Sequence, residues 1–141
     1  MFNWLQNFAS PKSLRANGVL GMNARNFDII AKCNRRRLYP LVDDKVQTKN
    51  LALKNGVKTP KLIGVIEHQY EVKNILDIVK GYSEFVVKPS HGSGGKGVLV
   101  IKEYTDDCFS LPGGRTISYN DLYQHISNIL SGLYSLGGKY D

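Results

Sequence analysis

The sequence predicts an α+β fold, a small sheet with flanking helices and a glycine-rich flap between two strands. Three observations predict it. Two short apolar stretches, 84–89 and 98–101, bracket the run Gly92-Ser93-Gly94-Gly95-Lys96-Gly97. Val72, Ile75, Leu76 and Val79 fall at i, i+3, i+4 and i+7, the spacing of a helix with one buried face. Pro112-Gly113-Gly114 separates 108–111 from 115–117 as a hairpin turn would. The 141 residues, 42% apolar and 22% charged, suffice for a core and are ordinary for a folded domain.

Taken in order, segment 2–9 is apolar on one face and reads as a short helix ended by Ser10-Pro11. Residues 12–40 show little periodicity and read as an extended arm or loop, carrying Asn17-Gly18 and the basic run Arg35-Arg36-Arg37. Asp43-Asp44-Lys45-Val46-Gln47 opens a helix, because Asp44 and Gln47 have capping-box spacing. Asn55-Gly56 supplies its stop. Leu62-Ile63-Gly64-Val65-Ile66 reads as a strand, and a helix over 69–80 ends at Gly81. Strand 84–89 closes on Pro89, and strand 98–101 follows the glycine run. After the hairpin, Ser118 and Asp121 cap a third helix with Leu122, Ile126, Ile129, Leu130 and Leu133 on one face, running to Gly137-Gly138. The chain thus divides into an N-terminal arm, 1–40, and a lobe, 41–141.

Cys33 and Cys108 form no ligand spacing for zinc and no disulfide framework, so a reducing, cytoplasmic setting is expected. No apolar run can span a bilayer, so no membrane partner is expected. The charge of +7 and pI near 9.4 suggest a polyanionic partner without choosing among nucleic acid, a membrane surface and a nucleotide's phosphates. The basic cluster Lys32, Arg35, Arg36 and Arg37 keeps open a nucleic-acid-binding module without catalysis. The tyrosines are not grouped as a base-stacking platform, and His68, His91 and His125 are scattered.

Gly92-x-Gly94-x-x-Gly97 matches a phosphate-loop pattern, since glycines let backbone N–H groups approach phosphate oxygens. A dinucleotide fold needs a helix after the loop, and here a β-branched strand follows. A P-loop needs Gly-Lys-Ser/Thr, and here Lys96 precedes the last glycine. What remains is a strand–loop–strand flap with a lysine, Lys88, on the strand before it.

The ordered set Asp44-Lys45-x-x-Thr48-Lys49, Asn55-Gly56-Val57-x-x-Pro60, Phe85-Val86-Val87-Lys88-Pro89 and Gly92-Ser93-Gly94-Gly95-Lys96-Gly97 resembles the first nucleotide lobe of ATP-grasp enzymes. Gly21-Met22-Asn23-Ala24-Arg25-Asn26, with Arg36-Arg37-Leu38-Tyr39-Pro40-Leu41-Val42-Asp43-Asp44-Lys45, is similar to the alpha-L-glutamate ligase-like (RimK-like) branch. The resemblance covers roughly residues 17–103. It implies a partial ATP-grasp fold, with the arm on the substrate side and 41–141 as the first nucleotide-binding lobe. It implies ATP as cofactor, with Lys45 and Lys88 on its phosphates and Gly92, Ser93, Gly94, Gly95, Lys96 and Gly97 folding over them. The implied activity joins a carboxylate to an amine through an acyl phosphate, with magnesium bridging the phosphates. Glu103, Asp106, Asp107 and Asp121 do not match the family's magnesium carboxylates. No metal ligand and no catalytic residue is therefore assigned. The second lobe is expected from the rest of a longer protein or from a partner chain, and a non-catalytic remnant of the family is the remaining reading.

Overall fold

The structure is a computed structural model and describes residues 8–105 and 108–135. The chain divides into two units, Met1–Tyr39 and Pro40–Asp141.

In the first unit, the expected helix over 2–9 lies outside the described residues except for Phe8 and Ala9, which are not helical. The expectation of an extended arm over 12–40 is corrected. Helix α1 spans Pro11–Ala16, with Ser10 as its N-cap accepting from the Ser13 N–H. Ser10-Pro11 therefore starts a helix instead of ending one, because proline at the first helical position sacrifices no hydrogen bond. Asn17-Gly18 closes α1: Gly18 takes φ 76°, its N–H donates to Arg15 O, and Val19 N–H donates to Leu14 O. That pair of bonds satisfies the last carbonyls of a helix. A second helical run covers 22–33, made of α2 (Met22–Ala24), a π segment (Arg25–Ile30) and α3 (Ala31–Cys33). A 3₁₀ turn, Arg36–Leu38, follows. Periodicity could not reveal these helices, because no residue on them is buried.

The second unit opens with α4 (Pro40–Asp43) and α5 (Lys45–Lys54). Asp44 stands between them as the N-cap of α5, and Gly56 closes α5 at φ 72°, as the sequence indicated. The Thr48 hydroxyl donates to Leu41 O at 2.6 Å, fastening α5 to α4.

The expected strand over 62–66 is absent. Ile63 and Ile66 pack against the core while Leu62 and Val65 stay exposed, so burial recurs every third residue and not every second, as a pleated strand requires. Gly64 lies so close to Ile78 that a Cβ there would meet its Cγ2 at 2.5 Å. The expected helix over 69–80 resolves into a 3₁₀ turn, Gln69–Asn74, and a short α6, Ile75–Ile78. Glu71 accepts from the N–H groups of Glu67 and His68; these two bonds, chiefly, hold its carboxyl below the usual range. The apolar spacing serves both helix types, since i and i+3 share a face in a 3₁₀ turn as well.

Strands β1 (Phe85–Val87) and β2 (Leu99–Ile101) pair antiparallel, with Phe85 opposite Ile101 and Val87 opposite Leu99. β3 (Glu103–Thr105), β4 (Cys108–Ser110) and β5 (Thr116–Ser118) form a second antiparallel ladder in that order. The predicted hairpin is present as β4 and β5, joined across Pro112-Gly113-Gly114. β3 was not foreseen; its Glu, Tyr and Thr carry no apolar run. Lys102 N–H donates to Ser110 O at 2.8 Å, so β2 and β3 follow one another along a single bent stretch of backbone.

Helix α7 (Tyr119–Leu130) follows β5 directly, capped reciprocally by Ser118 and Asp121. It stops at Gly132, φ 79°, where Gly132 N–H donates to Ile129 O and Leu133 N–H to Asn128 O. The helix therefore ends earlier than expected, and Leu133 is 65% exposed and not part of its apolar face; Gly137-Gly138 lies outside the described residues.

Val72, Ile75 and Val79 from the 69–79 segment, Leu122 and Ile126 from α7, and Phe85, Ile101 and Phe109 from the strands form one buried cluster. Tyr104 stacks on Phe109 at 4.7 Å and Phe85 meets its edge at 6.2 Å. The helices thus cover one face of the β1–β2 pair. Val86 and Val100, opposite each other on the ladder, remain exposed on the other face.

Candidate functional site

The site is built where the first turn of α5 meets the segment joining β1 to β2. Asp44 Oδ1 accepts from the N–H groups of Val46 at 2.8 Å and Gln47 at 3.1 Å, and Oδ2 from the Gln47 amide at 2.9 Å. Partial burial pushes the Asp44 carboxyl up, but these hydrogen bonds and the nearby His91 outweigh it and hold the group below its ordinary value. The cap fixes where the next residue points.

That residue is Lys45. Its backbone N–H donates to Ser90 O at 3.0 Å, and its ammonium donates to Ser90 O at 3.1 Å and Gly92 O at 2.9 Å. Main chain and side chain together clamp the start of the glycine loop. An ammonium has three donors, so one is left beyond these two bonds. Ser90 Oγ and His91 Nδ1 lie 2.9 Å apart.

The loop turns twice, through bonds from Lys96 N–H to Ser93 O and from Val98 N–H to Gly95 O. Gly94, Gly95 and Gly97 lie near φ 70°, where a side chain would strain the backbone. Nothing stands within 4 Å of a Cβ built on Gly94 or Gly95, so the crest of the loop has open space on that side.

The far end is held from α7 and the residues after it. His125 Nε2 lies 2.9 Å from Gly97 O; the carbonyl can only accept, so Nε2 carries the proton and donates. The Tyr134 ring lies against Gly97, where an added Cβ would come within 2.8 Å of it, and Tyr134 O lies 3.2 Å from the Cβ position of Gly92. The His125 and Tyr134 rings are 5.5 Å apart. These two residues escaped the sequence reading, because they lie 28 and more positions from the loop they support and belong to no motif.

Lys88 follows β1 on the alternation of Val86, so it extends the exposed face. Lys88 and Lys96 are exposed and have no side-chain partner among the described residues. The structure therefore brings Lys45 into contact with Gly92 at the start of the loop, while Lys88 directly follows the strand that feeds the loop. The exposed valines Val86, Val98 and Val100 adjoin it. An apolar strip beside unpaired cations and a glycine loop suits a ligand with one flat apolar end and one anionic end.

Among the described residues, no group of three or more His, Cys, Asp or Glu that could hold a magnesium ion occurs. Asp121 is committed to its cap with Ser118, Glu103 is exposed on β3, and Asp106 and Asp107 lie outside the described residues. The Lys32–Asp28 pair is the ion pair found among the described residues, so no acid neutralises the lysines of the site.

Compared with known proteins, residues 24–141 match the family of sugar-transfer associated ATP-grasp proteins. No curated protein and no solved structure matches the chain. The match supports the ATP-grasp level of the resemblance, not its glutamate ligase-like branch. It takes in α5, both ladders, the glycine loop and α7 together with the last part of the arm. A strand–loop–strand element clamped by the lysine that opens a helix accords with that match, and the chain belongs to the sugar-transfer associated ATP-grasp family, whose fold binds ATP.

Proposed function

We infer that the chain binds ATP for an ATP-dependent ligation of a carboxylate to an amine. The observation that carries the reading is the pair of hydrogen bonds from the Lys45 ammonium to Ser90 O and Gly92 O, beside Lys88 and Lys96, which have no side-chain partner among the described residues. The phosphates lie against 92–97, with Lys88 and Lys96 offsetting their charge and the third donor of Lys45 reaching the same anion. The adenine rests on Val86, Val98 and Val100. In the reaction, a substrate carboxylate oxygen attacks the γ-phosphorus and ADP leaves; the amine then attacks the acyl carbon and phosphate leaves. The chain's own share is placement and charge neutralisation. Magnesium, which the family implies, would be held by carboxylates of a second lobe, supplied by the rest of a longer protein or by a partner chain, and no step is assigned to it here.

The resemblance to glutamate ligase-like enzymes favours an acidic acceptor, and the family's association with sugar transfer favours one carried on a saccharide. The exposed free thiols Cys33 and Cys108 fit a reducing, cytoplasmic setting. The direct test is titration of the full chain with ATP. Lys88→Ala is expected to weaken binding by tenfold or more, about the loss of one charge-assisted hydrogen bond. Equal affinity in the two proteins would end the assignment.

A further inference from the structure

Among the described residues, the arm combines exposed apolar side chains with unbalanced positive charge. Val19, Leu20, Met22 and Phe27 are each half or more exposed, Met22 at 74% and Phe27 at 78%, and none of the helices in this unit has a buried residue. Bulky apolar side chains grouped this way mark a surface meant to be covered. The same stretch concentrates charge. Residues 1–40 hold seven Lys and Arg against one acid, Asp28, a net of +6, while 41–141 hold twelve against eleven, a net of +1. Asp28 is already engaged by Lys32 at 3.3 Å. Arg15, Arg25 and Arg35 to Arg37 therefore have no acidic partner among the described residues.

A covering partner must be both apolar and anionic. The remainder of the chain, with twelve Lys and Arg against eleven acids, carries no net negative charge to balance the arm. A nucleic acid would satisfy the arginines and leave Met22 and Phe27 in water. The interface of a bilayer with anionic headgroups meets both demands: acyl chains take the apolar residues, and headgroups take the cations within a few ångströms. We propose that the segment 8–39 is a peripheral anchor that seats the protein on an anionic lipid surface. No helix among the described residues is long and apolar enough to cross a membrane, and a surface anchor needs none. The proposal departs from the expectation of no membrane partner, which was drawn from the lack of an apolar run long enough to span a bilayer. This proposal is independent of nucleotide binding.

The test uses the full chain and sucrose-loaded vesicles, either phosphatidylcholine mixed with phosphatidylglycerol or phosphatidylcholine alone. Sedimentation with the mixed vesicles and not with the neutral ones is expected. Replacing Arg35, Arg36 and Arg37 with Ala should weaken it roughly fivefold per charge removed. Phe27→Ser should weaken what persists at high salt, where attraction between charges is screened. The replaced side chains are exposed, so the fold is not at stake. Equal partition onto both vesicle types overturns the proposal. So does indifference to Phe27→Ser, which would leave attraction without insertion. Preference for a nucleic-acid duplex over the vesicles at equal salt, or self-association without vesicles that covers the arm, overturns it as well.

Discussion

His125 shows how one side chain distant in sequence governs the glycine loop. Its Nε2–H holds Gly97 O at 2.9 Å while its ring lies beside Tyr134. His125→Phe keeps a ring and removes the donor; His125→Gln keeps an N–H of similar reach. The Phe variant is expected to weaken ATP binding about tenfold, the worth of roughly one buried hydrogen bond, and to speed hydrogen exchange at 93–98. The Gln variant should restore both. Because exchange is read without nucleotide, it tests the brace even if ATP does not bind. At this scale the sequence was partly legible. Lys88 and the glycines stand out in the sequence as a strand lysine before a glycine run, and Lys45 through the family resemblance. His125 and Tyr134 do not, because a brace needs only proximity, which the packing of α7 provides and no local pattern records.

At the level of elements, caps decide where helices begin and end. Asp44 closes the front of α5 with three hydrogen bonds, and Asp44→Ala should cost about 1 kcal/mol, the usual worth of an N-cap. The sign of its pH dependence follows from its depressed carboxyl. A group with a lower pKa folded than unfolded stabilises fully above the unfolded value and ceases to do so as pH falls through the folded one. Urea melts across the acid range should therefore show wild type losing more stability on acidification than Asp44→Ala; identical slopes would contradict the capping role. Caps also explain what the sequence revealed of the elements. Asp44 with Asn55-Gly56, and Ser118 with Asp121, gave α5 and the start of α7 correctly. Ser10-Pro11 was misread because the same pair suits the end of one helix and the start of another. The 62–66 segment misled because β-branched composition resembles a strand, whereas pairing depends on a partner strand elsewhere in the chain.

Across the whole molecule, the two units differ in kind. Pro40–Asp141 has one core joining helices and strands; the described arm has none. On the proposed function, which assigns this chain placement and charge neutralisation, the purified chain is expected to bind ATP without releasing ADP. Steady ADP release at a rate proportional to chain concentration would require catalytic carboxylates supplied in some other way. The lobe was legible in outline because its core imposes periodicity on the residues that fill it. The arm was not, because exposed helices leave no such imprint.

The 3₁₀ turn Arg36–Leu38 adjoins the division at Tyr39 and Pro40, and all three arginines from 35 to 37 are exposed. Three successive cleavage sites for a trypsin-like protease thus sit beside the division. A single nick after Arg37 would release a product from 38 onward with a net charge of +1 in place of +7, which should be visible as a resistant band in a timed digest. If the arm anchors the protein as proposed, such a cut would strip the protein of its address while sparing the unit that carries the glycine loop. Where the protein resides would then be a property that a protease could erase.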